Sequence, residues 1–272
     1  MAFLREEVPS YGIPAAVAAG VLRLVANNPS AMTCHGTNTF LLSGAGGFVV
    51  IDPGPALPEH LDAIVDATGG RIAAIFVTHG HHDHVGAVPE LKARTGAPTF
   101  GFGLVQSGGF EPDNALRSGE DALGLTAIHT PGHTLDHLCY AWDGRIVFTG
   151  DHVMGWSTTV VPPAGGGMAR YMAGLELLRA RAEGLFLPGH GPAIPDPKLF
   201  LEELLARRRK RERQILELLA AAPLSAPEIA QKLYTRGNPR LTQAAEKNVV
   251  AHLEKLRDEA RAQVAGGRWH AV

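Results

Sequence analysis

Short apolar runs alternate with amphipathic segments over the first 195 residues of the chain. Runs rich in β-branched and aromatic side chains predict strands at residues 39–42, 48–51, 75–77, 125–128, 138–142, 146–149 and 185–187. Apolar residues at helical spacing predict helices over residues 57–68, 88–95 and 168–182. Many short strands with helices between them indicate an α/β protein in which helices cover the sheets on the outside.

The pattern changes after Pro195. Helices and a terminal hairpin are predicted there, at residues 199–222, 225–234, 242–262 and 263–272. Ser225 and Glu228 have the spacing of a capping box at the start of the second helix. Three helices followed by a hairpin are the layout of a winged helix. We therefore predict two domains, residues 1–197 and residues 198–272.

Charge is distributed unevenly along this chain of 272 residues, whose net charge is −2. Residues 198–272 carry 15 Lys+Arg against 9 Asp+Glu, so residues 1–197 carry the remaining 10 against 18. This asymmetry falls at the same boundary as the change of pattern. The basic run Arg207–Arg211 would attract phosphate groups, whereas a solvated helix face with neighbouring glutamates is the alternative.

No part of the sequence predicts a membrane segment, because no apolar stretch reaches the roughly 18 residues that a span needs. The apolar window 13–26 is interrupted by Pro14 and Arg23 and follows an acidic pair, unlike a secretion signal. Cys34 and Cys139 are predicted to be small buried residues. We expect a cytoplasmic protein. The excess of Arg (19) over Lys (6) favours a GC-rich bacterial genome.

The segment His79-Gly-His-His-Asp-His84 contains five metal-ligand side chains in six residues and directly follows a short apolar run. Ligands at the end of a buried strand lie on a rigid support at the rim of a sheet. The same order, an apolar stretch and then a ligand in a turn, recurs three more times, at His133, Asp151 and His190. A histidine-rich surface loop would not explain these downstream positions. The pattern therefore predicts a metal site.

Imidazole and carboxylate ligands without thiolate are typical of an open catalytic site rather than a closed structural one. Two histidines separated by one residue can converge on one ion from a tight turn, and the two ligands that follow can reach a second ion. A carboxylate between the ions could bridge them. The predicted ligands are His79, His81 and His133 for the first ion, Asp83, His84 and His190 for the second, and Asp151 as the bridge.

The motifs His-x-His-x-Asp-His, Pro-Gly-His, Gly-Asp and Pro-Gly-His-Gly, in this order, resemble those of the metallo-beta-lactamase superfamily over residues 20–195. The resemblance implies an αββα sandwich with the metals at the edge between two sheets, the same division of ligands, and a supporting role for Asp52. Segments 155–160, 207–216 and 244–255 are similar to the beta-lactamase-like protein 2 branch. That branch adds a C-terminal winged helix, and some of its members act as endoribonucleases.

We expect two divalent metal ions, with zinc favoured and iron or manganese as alternatives. The hypothetical reaction is hydrolysis, in which a metal-bound hydroxide attacks a phosphorus or carbonyl centre. Asp83 can hold a metal and accept a hydrogen bond from the nucleophile, so it is the predicted catalytic residue. His82, His129 and His152 are considered as general acids, although a structural role is favoured for each.

Two substrate classes follow from the residues and the resemblance. A phosphodiester, in particular single-stranded RNA, comes first, because it suits the basic C-terminal domain and the resemblance to the branch. Carbonyl substrates come second. A small-molecule ester or thioester would make the chain a thioesterase resembling glyoxalase II, or a lactonase, with weak promiscuous beta-lactamase activity as a further option. A non-enzymatic nucleic-acid-binding protein is least favoured, because the full set of seven ligands is present. A homodimer is expected only by analogy with other winged-helix proteins.

Overall fold

Two β-sheets lie face to face, with helices on their outer faces, in the computed structural model of the chain. The structure describes residues 3–103, 109–234 and 239–272. Within these residues the first sheet contains, in chain order, β1 (Ala15–Ala18), β2 (Val21–Val25), β3 (Asn38–Gly44), β4 (Gly47–Ile51), β5 (Ile72–Phe76), β6 (Thr99–Phe102) and β7 (Asn114–Leu116). The second sheet contains β8 (Asp121–Ala122), β9 (Leu125–His129), β10 (Leu138–Trp142), β11 (Ile146–Gly150) and β12 (Leu185–Pro188), which lie in the order β12-β11-β10-β9-β8.

Helices cover the outer face of each sheet, which confirms the predicted αββα architecture. They are α1 (Pro58–Thr68), α2 (His82–Val85), α3 (Val88–Thr95), α4 (Gly167–Arg179) and α5 (Pro197–Ala221). Leu61 and Ile64 of α1 and Leu91 of α3 pack on the first sheet, whereas Leu175 of α4 and Leu201 of α5 pack on the second. Among the residues that the structure describes, no helix combines the length and the apolar content needed to cross a bilayer.

Aromatic and aliphatic side chains fill the space between the two sheets. Phe76 of β5 lies edge-on against Tyr140 of β10, with ring centroids 5.3 Å apart, and Phe40 of β3 meets Phe148 of β11 at 5.1 Å. The buried hydroxyl of Tyr140 donates a hydrogen bond to the backbone carbonyl of Val77 at 2.6 Å, so this polar group is not buried without a partner. The bond ties the second sheet to the segment after β5, which carries the first candidate ligands.

The C-terminal residues form a winged helix, as predicted. It contains the second half of α5, together with α6 (Ala226–Leu233), α7 (Pro239–Asp258) and a hairpin of β13 (Ala262–Ala265) and β14 (Arg268–Ala271). The backbone N–H of Ser225 donates to the Glu228 carboxylate at 2.7 Å, and the Ser225 hydroxyl oxygen accepts from the N–H of Glu228, so the predicted capping box is present. Trp269 of β14 packs with Ile229 and Val249 in the core of this domain.

Helix α5 contributes to two hydrophobic cores. Its first half buries Phe200, Leu204 and Leu205 with α4 and the second sheet. Its second half places Ile215 in the core of the winged helix. The predicted division between residues 197 and 198 coincides with the start of this shared helix, and it stays a prediction.

The strands predicted from short apolar runs are confirmed as β3 to β5 and β9 to β12, and the helices predicted from helical spacing are confirmed as α1, α3 and α4. Strands β1, β2 and β6 to β8 lie outside the predicted set. β1 is made largely of alanine, which has little strand propensity, and β8 has two residues, too few to show an alternating pattern. Helix α7 ends at Asp258 rather than at residue 262, and Ala260 has the left-handed φ of 55° with which helices often terminate.

Candidate metal centre

The carboxyl ends of four strands meet at one edge of the sandwich. β4 and β5 are parallel neighbours in the first sheet, and β11 and β12 are parallel neighbours in the second. Asp52 follows β4, residues 78–81 follow β5, and Asp151 and His190 follow β11 and β12. Side chains placed at the ends of buried strands are held by the rigid scaffold rather than by a long loop. The fold therefore brings distant parts of the sequence to one place.

The first group of candidate ligands consists of three imidazoles and one carboxylate, from His79, His81, His133 and Asp151. His81 Nδ1 lies 2.9 Å from His79 Nε2 and 2.9 Å from His133 Nε2. Asp151 Oδ2 lies 3.5 Å from His133 Nε2. All four donor atoms lie within 4.8 Å of one another, close enough to share one ion with bonds of roughly 2.0–2.2 Å.

The second group consists of Asp83, His84 and His190. His190 Nε2 lies 3.3 Å from Asp83 Oδ2, and His84 Nε2 lies 3.9 Å from the same oxygen. Asp151 adjoins this group too, because its Oδ1 lies 3.4 Å from His190 Nε2 and 3.6 Å from His84 Nε2. One carboxylate oxygen of Asp151 thus faces each group, which is the arrangement that a bridging ligand requires.

Hydrogen bonds outside the cluster hold the second ring nitrogen of four of these imidazoles. The contacts are His79 Nδ1 with Thr78 Oγ1 at 3.0 Å, His84 Nδ1 with Asp52 Oδ2 at 2.8 Å, His133 Nδ1 with the carbonyl of Val160 at 2.8 Å, and His190 Nδ1 with the carbonyl of Gly36 at 3.1 Å. A carbonyl or carboxylate oxygen only accepts, so His84, His133 and His190 carry a proton on Nδ1. In the neutral rings the Nε2 lone pair is then available to a metal.

Asp52 supports the loop after β5 and one ligand of the second group. Its carboxylate accepts hydrogen bonds from the N–H and the hydroxyl of Thr78, both at 2.7 Å, in addition to the bond from His84 Nδ1. The backbone of Asp52 has a φ of 50°, a left-handed conformation that is uncommon for a residue other than glycine. Such strain persists where the surrounding contacts fix it, and the three hydrogen bonds supply that restraint.

Burial and charge set the protonation of the ligands in the metal-free protein. Burial lowers the pKa of His79 well below its ordinary value and, with the repulsion of a neighbouring imidazole, lowers the pKa of His81 to about 4. Burial also acts to lower the pKa of His84, but three surrounding carboxylates, led by Asp52, outweigh it and raise this pKa to about 10. His79 and His81 are therefore neutral near pH 7, whereas a cation bound at His84 must displace a proton.

The donor set fits divalent metal ions. His84 Nε2 and Asp151 Oδ1 are buried and make no hydrogen bond within the described part of the chain, although an unpaired buried polar group costs about 1–3 kcal/mol. A cation held by the second group would satisfy both atoms. Nitrogen and carboxylate ligands without thiolate suit zinc, iron or manganese.

Two family models match this chain: the metallo-beta-lactamase superfamily at residues 32–107 and the beta-lactamase associated winged helix domain at residues 225–269. The beta-lactamase-like protein 2 homolog of Drosophila melanogaster is 32% identical over 268 residues, which cover 90% of this chain and 90% of that protein. The chain belongs to the metallo-beta-lactamase superfamily. Its match to beta-lactamase-like protein 2 over both domains confirms the resemblance on which the fold was predicted.

One curated protein and two crystal structures are also similar to this chain. The atrochrysone carboxyl ACP thioesterase of Aspergillus chevalieri is 31% identical over 210 residues, covering 73% of this chain and 65% of that protein. A beta-lactamase domain protein from Burkholderia ambifaria has a crystal structure similar over 98% of this chain and 96% of that one, with a TM-score of 0.83 at 20% identity. The crystal structure of TTHA1623 in a di-iron-bound form gives a TM-score of 0.54 at 29% identity, covering 64% of this chain and 94% of that one.

Two buried residues beside the ligands lie outside the predicted set. Asp136 Oδ2 accepts a hydrogen bond from the N–H of Gly80 at 3.0 Å, and His137 Nε2 accepts one from the N–H of Asp151 at 3.1 Å. Both follow His133 within four positions, and this nearness to a candidate ligand is the sequence signal that could have identified them. They position the ligand loops of this superfamily member, and neither belongs to the two described ligand groups.

The three histidines considered as general acids lie apart from the ligand groups. His82 is exposed, although it stands between two candidate ligands in the sequence. His129 stacks on Phe102 with ring centroids 4.2 Å apart, and the buried His152 packs on Tyr171 at 4.8 Å. These positions agree with the structural role that the sequence favours for them.

A cavity of about 220 Å³ lies beside two ligand-bearing segments of this superfamily hydrolase, and none of the seven candidate ligands forms part of its wall. Val160, whose carbonyl holds His133, lies in its wall. Trp156, also in the wall, packs so closely on Gly191 that a Cβ there would lie 2.5 Å from its ring. The remaining wall is mainly apolar and comes from both domains: Ala31, Met32, Met154, Ser157 and Thr158 from the sandwich, and Tyr234, Thr242, Ala244, Ala245 and Asn248 from the winged helix.

Proposed function

We propose that this chain is a two-metal hydrolase of carboxylic thioesters or esters. Membership of the superfamily makes it a metal-dependent hydrolase. The choice of a carbonyl substrate rests on the cavity beside the segments that carry His133 and His190, whose walls include Met32, Met154 and Trp156. Such walls favour the burial of an uncharged chain next to a reacting carbonyl. The name of the thioesterase relative agrees with this proposal.

Two bound divalent ions would lower the pKa of water and polarise the carbonyl of the substrate. Within the chain, Asp151 fixes the spacing of the two ligand groups, since one oxygen faces each of them. Asp83 is the more accessible carboxylate, with 31% of its side chain exposed against 10% for Asp151. It can take a proton from the attacking water and return it to the leaving group.

Asp83 is ionised in the metal-free site. Burial opposes ionisation, but the positive charges of His84 and His190 outweigh burial and lower the pKa of Asp83 below its ordinary range. His190 Nε2, 3.3 Å from the carboxylate, also restricts its orientation. The ionised carboxylate can accept a hydrogen bond from the attacking water, so Asp83 is our proposed catalytic residue as well as a ligand of the second ion.

We propose zinc for both ions, with iron as the first alternative. The ligand set of five imidazoles and two carboxylates is compatible with either metal, and TTHA1623 was crystallised in a di-iron-bound form. Metal analysis of the purified protein together with its absorbance spectrum distinguishes them. Two zinc ions per chain and no visible absorbance are the expected result; two iron ions would overturn the assignment.

A phosphodiester such as single-stranded RNA is the second candidate substrate. The observation that favours it is a second cavity lined by Arg207, Lys210 and Arg211, where phosphates would bind. A phosphodiesterase would place its scissile phosphate at the metals and use these cations for the adjoining backbone. The two candidates therefore share a metal centre and differ in the group that reacts.

The test is a substrate panel with metal-loaded and chelator-treated protein. It contains acyl thioesters, bis-p-nitrophenyl phosphate, single-stranded RNA, homoserine lactones and nitrocefin. We expect thioester hydrolysis that chelation abolishes and added zinc restores. Turnover of the phosphodiesters alone would contradict the proposed thioester substrate. Turnover that continues after chelation would contradict the proposed metal-dependent mechanism.

A matched pair of variants links activity to the ligands. His84→Ala removes a buried side chain of the second group, whereas His82→Ala changes an exposed histidine two positions away. We expect the first change to abolish hydrolysis and reduce the bound metal, and the second to leave both within about twofold, as is usual for surface substitutions. Equal activity of the two variants would show that the cluster is not the reaction centre.

A further inference from the structure

A second cavity, of about 320 Å³, lies beside the first and is lined by cationic side chains. Its walls are formed by Phe3, Thr158, Arg207, Arg208, Lys210, Arg211, Gln214 and Tyr234. Thr158 and Tyr234 belong to the walls of both cavities. The two cavities are therefore neighbours, and a ligand that occupies the first can reach the second.

The cations in this wall have different tasks. Arg208 is buried, donates to the carbonyl of Thr159 at 2.6 Å, and thereby braces the segment beside the metal centre. Arg209, also in the basic run, is outside the wall and pairs with Glu176 at 2.6 Å. Lys210 and Arg211 line the cavity, and neither has a carboxylate within 4.0 Å among the described ion pairs.

The glutamate next to these two residues does not neutralise them. Glu212 is buried, pairs with Lys255 of α7 at 2.9 Å, and is not part of the cavity wall. No acidic residue lies in the described wall. Lys210 is exposed on a solvated helix face, but neither it nor Arg211 is neutralised by a described carboxylate, so both leave excess positive charge in a concave site.

Aromatic rings hold the cationic side chains in place. The Arg211 guanidinium lies 4.2 Å from the ring centroid of Tyr234 and donates to the carbonyl of Leu233 at 3.3 Å. The Arg207 guanidinium lies 5.1 Å from the ring centroid of Phe3. Stacking of this kind stabilises an arginine without using all five of its N–H donors. A pre-ordered donor set is what recognition of a phosphate group needs.

We propose that the second cavity binds the phosphate of the substrate's leaving group, which makes the substrate a thioester of a phosphorylated pantetheine. This inference rests on the proposed thioester hydrolysis. The largely apolar first cavity would hold the uncharged pantetheine chain, and Lys210 and Arg211 would bind the phosphate at its far end. Water supplies oxygen to the acyl carbon, the C–S bond breaks, and the products are a carboxylic acid and a thiol that retains the phosphate.

Binding is tested with the full-length, metal-loaded protein and two thiols that differ by one phosphate. Calorimetric titration compares pantetheine with 4′-phosphopantetheine. We expect the phosphorylated thiol to bind at least about tenfold more tightly, as one charge-assisted contact supplies, and the difference to shrink as salt is added. Equal affinity of the two thiols would overturn the proposal.

Catalysis is tested with acetyl, octanoyl and benzoyl thioesters, each made with coenzyme A and with N-acetylcysteamine, which has no phosphate. The double variant Lys210→Gln/Arg211→Gln should raise KM for the coenzyme A thioesters about tenfold and leave kcat unchanged, because the phosphate is remote from the reacting carbon. The N-acetylcysteamine thioesters should be unaffected. Arg213→Gln, an exposed position on the same helix outside the wall, is the matched control and should change neither series.

The remaining outcomes separate this inference from the proposed function. If the coenzyme A and the N-acetylcysteamine thioesters are both hydrolysed and the double variant affects them equally, the cavity does not bind the phosphate of the substrate. If no thioester is hydrolysed but 4′-phosphopantetheine still binds through Lys210 and Arg211, the proposed reaction is wrong and the phosphate site stands. If the double variant instead suppresses cleavage of single-stranded RNA, the cavity serves a phosphodiester and the inference fails.

Discussion

Asp52→Asn is the change that best separates support of the metal centre from ligation, because it keeps the size of the side chain and removes only its charge and one acceptor. Asp52 accepts hydrogen bonds from the N–H and the hydroxyl of Thr78 and from His84 Nδ1. An asparagine has one oxygen for these donors. In either orientation of the amide, its N–H₂ group faces at least one of these three donors, and two donors cannot form a hydrogen bond with each other.

Each orientation of the amide has a defined cost. With the amide oxygen toward the N–H of Thr78, the amide N–H₂ faces His84 Nδ1 and favours the tautomer that carries its proton on Nε2, the atom needed by the metal. With the oxygen toward His84, the buried N–H of Thr78 loses its acceptor, which costs about 1–3 kcal/mol. We expect metal affinity at the second group to fall about 10–100-fold. The free energy of unfolding of the metal-free protein should fall by about 1–3 kcal/mol.

The assay is titration of the metal-free protein with zinc in competition with a chromophoric chelator, which resolves two binding steps. Urea unfolding of the same metal-free samples gives the stability. Asp62→Asn is the control, since its carboxylate is exposed and pairs with Arg94 at the surface. We expect it to bind zinc like the unchanged chain.

The reasoning is refuted if Asp52→Asn binds both zinc ions as tightly as the unchanged protein. A loss of stability without a loss of zinc affinity would also refute it, because it would mean that Asp52 holds the fold and not the orientation of His84. A loss confined to the first group would place the effect on Thr78 and His79 instead.

Three further changes test separate parts of the structure. Asp151→Ala removes the carboxylate that faces both ligand groups, so hydrolysis should fall by more than about 100-fold, the upper end of losses for supporting residues, in a steady-state assay. Burial lowers the pKa of His60 to about 4, so below its ordinary pKa of about 6.5 the unfolded chain binds a proton there more readily. The share of His60 in the unfolding free energy of the metal-free protein should therefore fall by about 2 kcal/mol from pH 7 to pH 5. His60→Gln should lose this share of the pH dependence in urea titrations. Ser225→Ala removes the capping box of α6 and should cost about 1 kcal/mol by thermal unfolding; an unchanged Tm would contradict it.

The candidate ligands could be predicted because each follows a strand that is recognisable from its apolar run, as His79 follows β5 and Asp151 follows β11. Their spacing in the sequence also limits which of them can meet. The supporting contacts were less accessible, because Asp136 and His137 act through backbone N–H groups whose positions depend on the completed fold. A pattern of residue types contains no record of such contacts.

The two cavities could be predicted from the sequence even less than these supporting contacts. The wall of the first combines Met32 of the sandwich with Ala245 of the winged helix, and its volume depends on how the two domains pack. The basic run around Lys210 is plain in the sequence, but which of its cations face a cavity depends on the rotation of α5. Helical spacing predicts which cationic residues share one face of α5, but it does not identify what that face contacts.

Helix α5 also limits how the chain can be divided. A truncation at residue 197 would take away Phe200, Leu204 and Leu205, and the second sheet would be left with an apolar surface open to water. Joining the sandwich to the tail of a relative raises the same difficulty unless the crossover point lies inside the helix, beyond Leu205. The winged helix therefore cannot be removed or replaced as an independent unit. An exchange of this domain between relatives must include the part of α5 that packs on the sandwich.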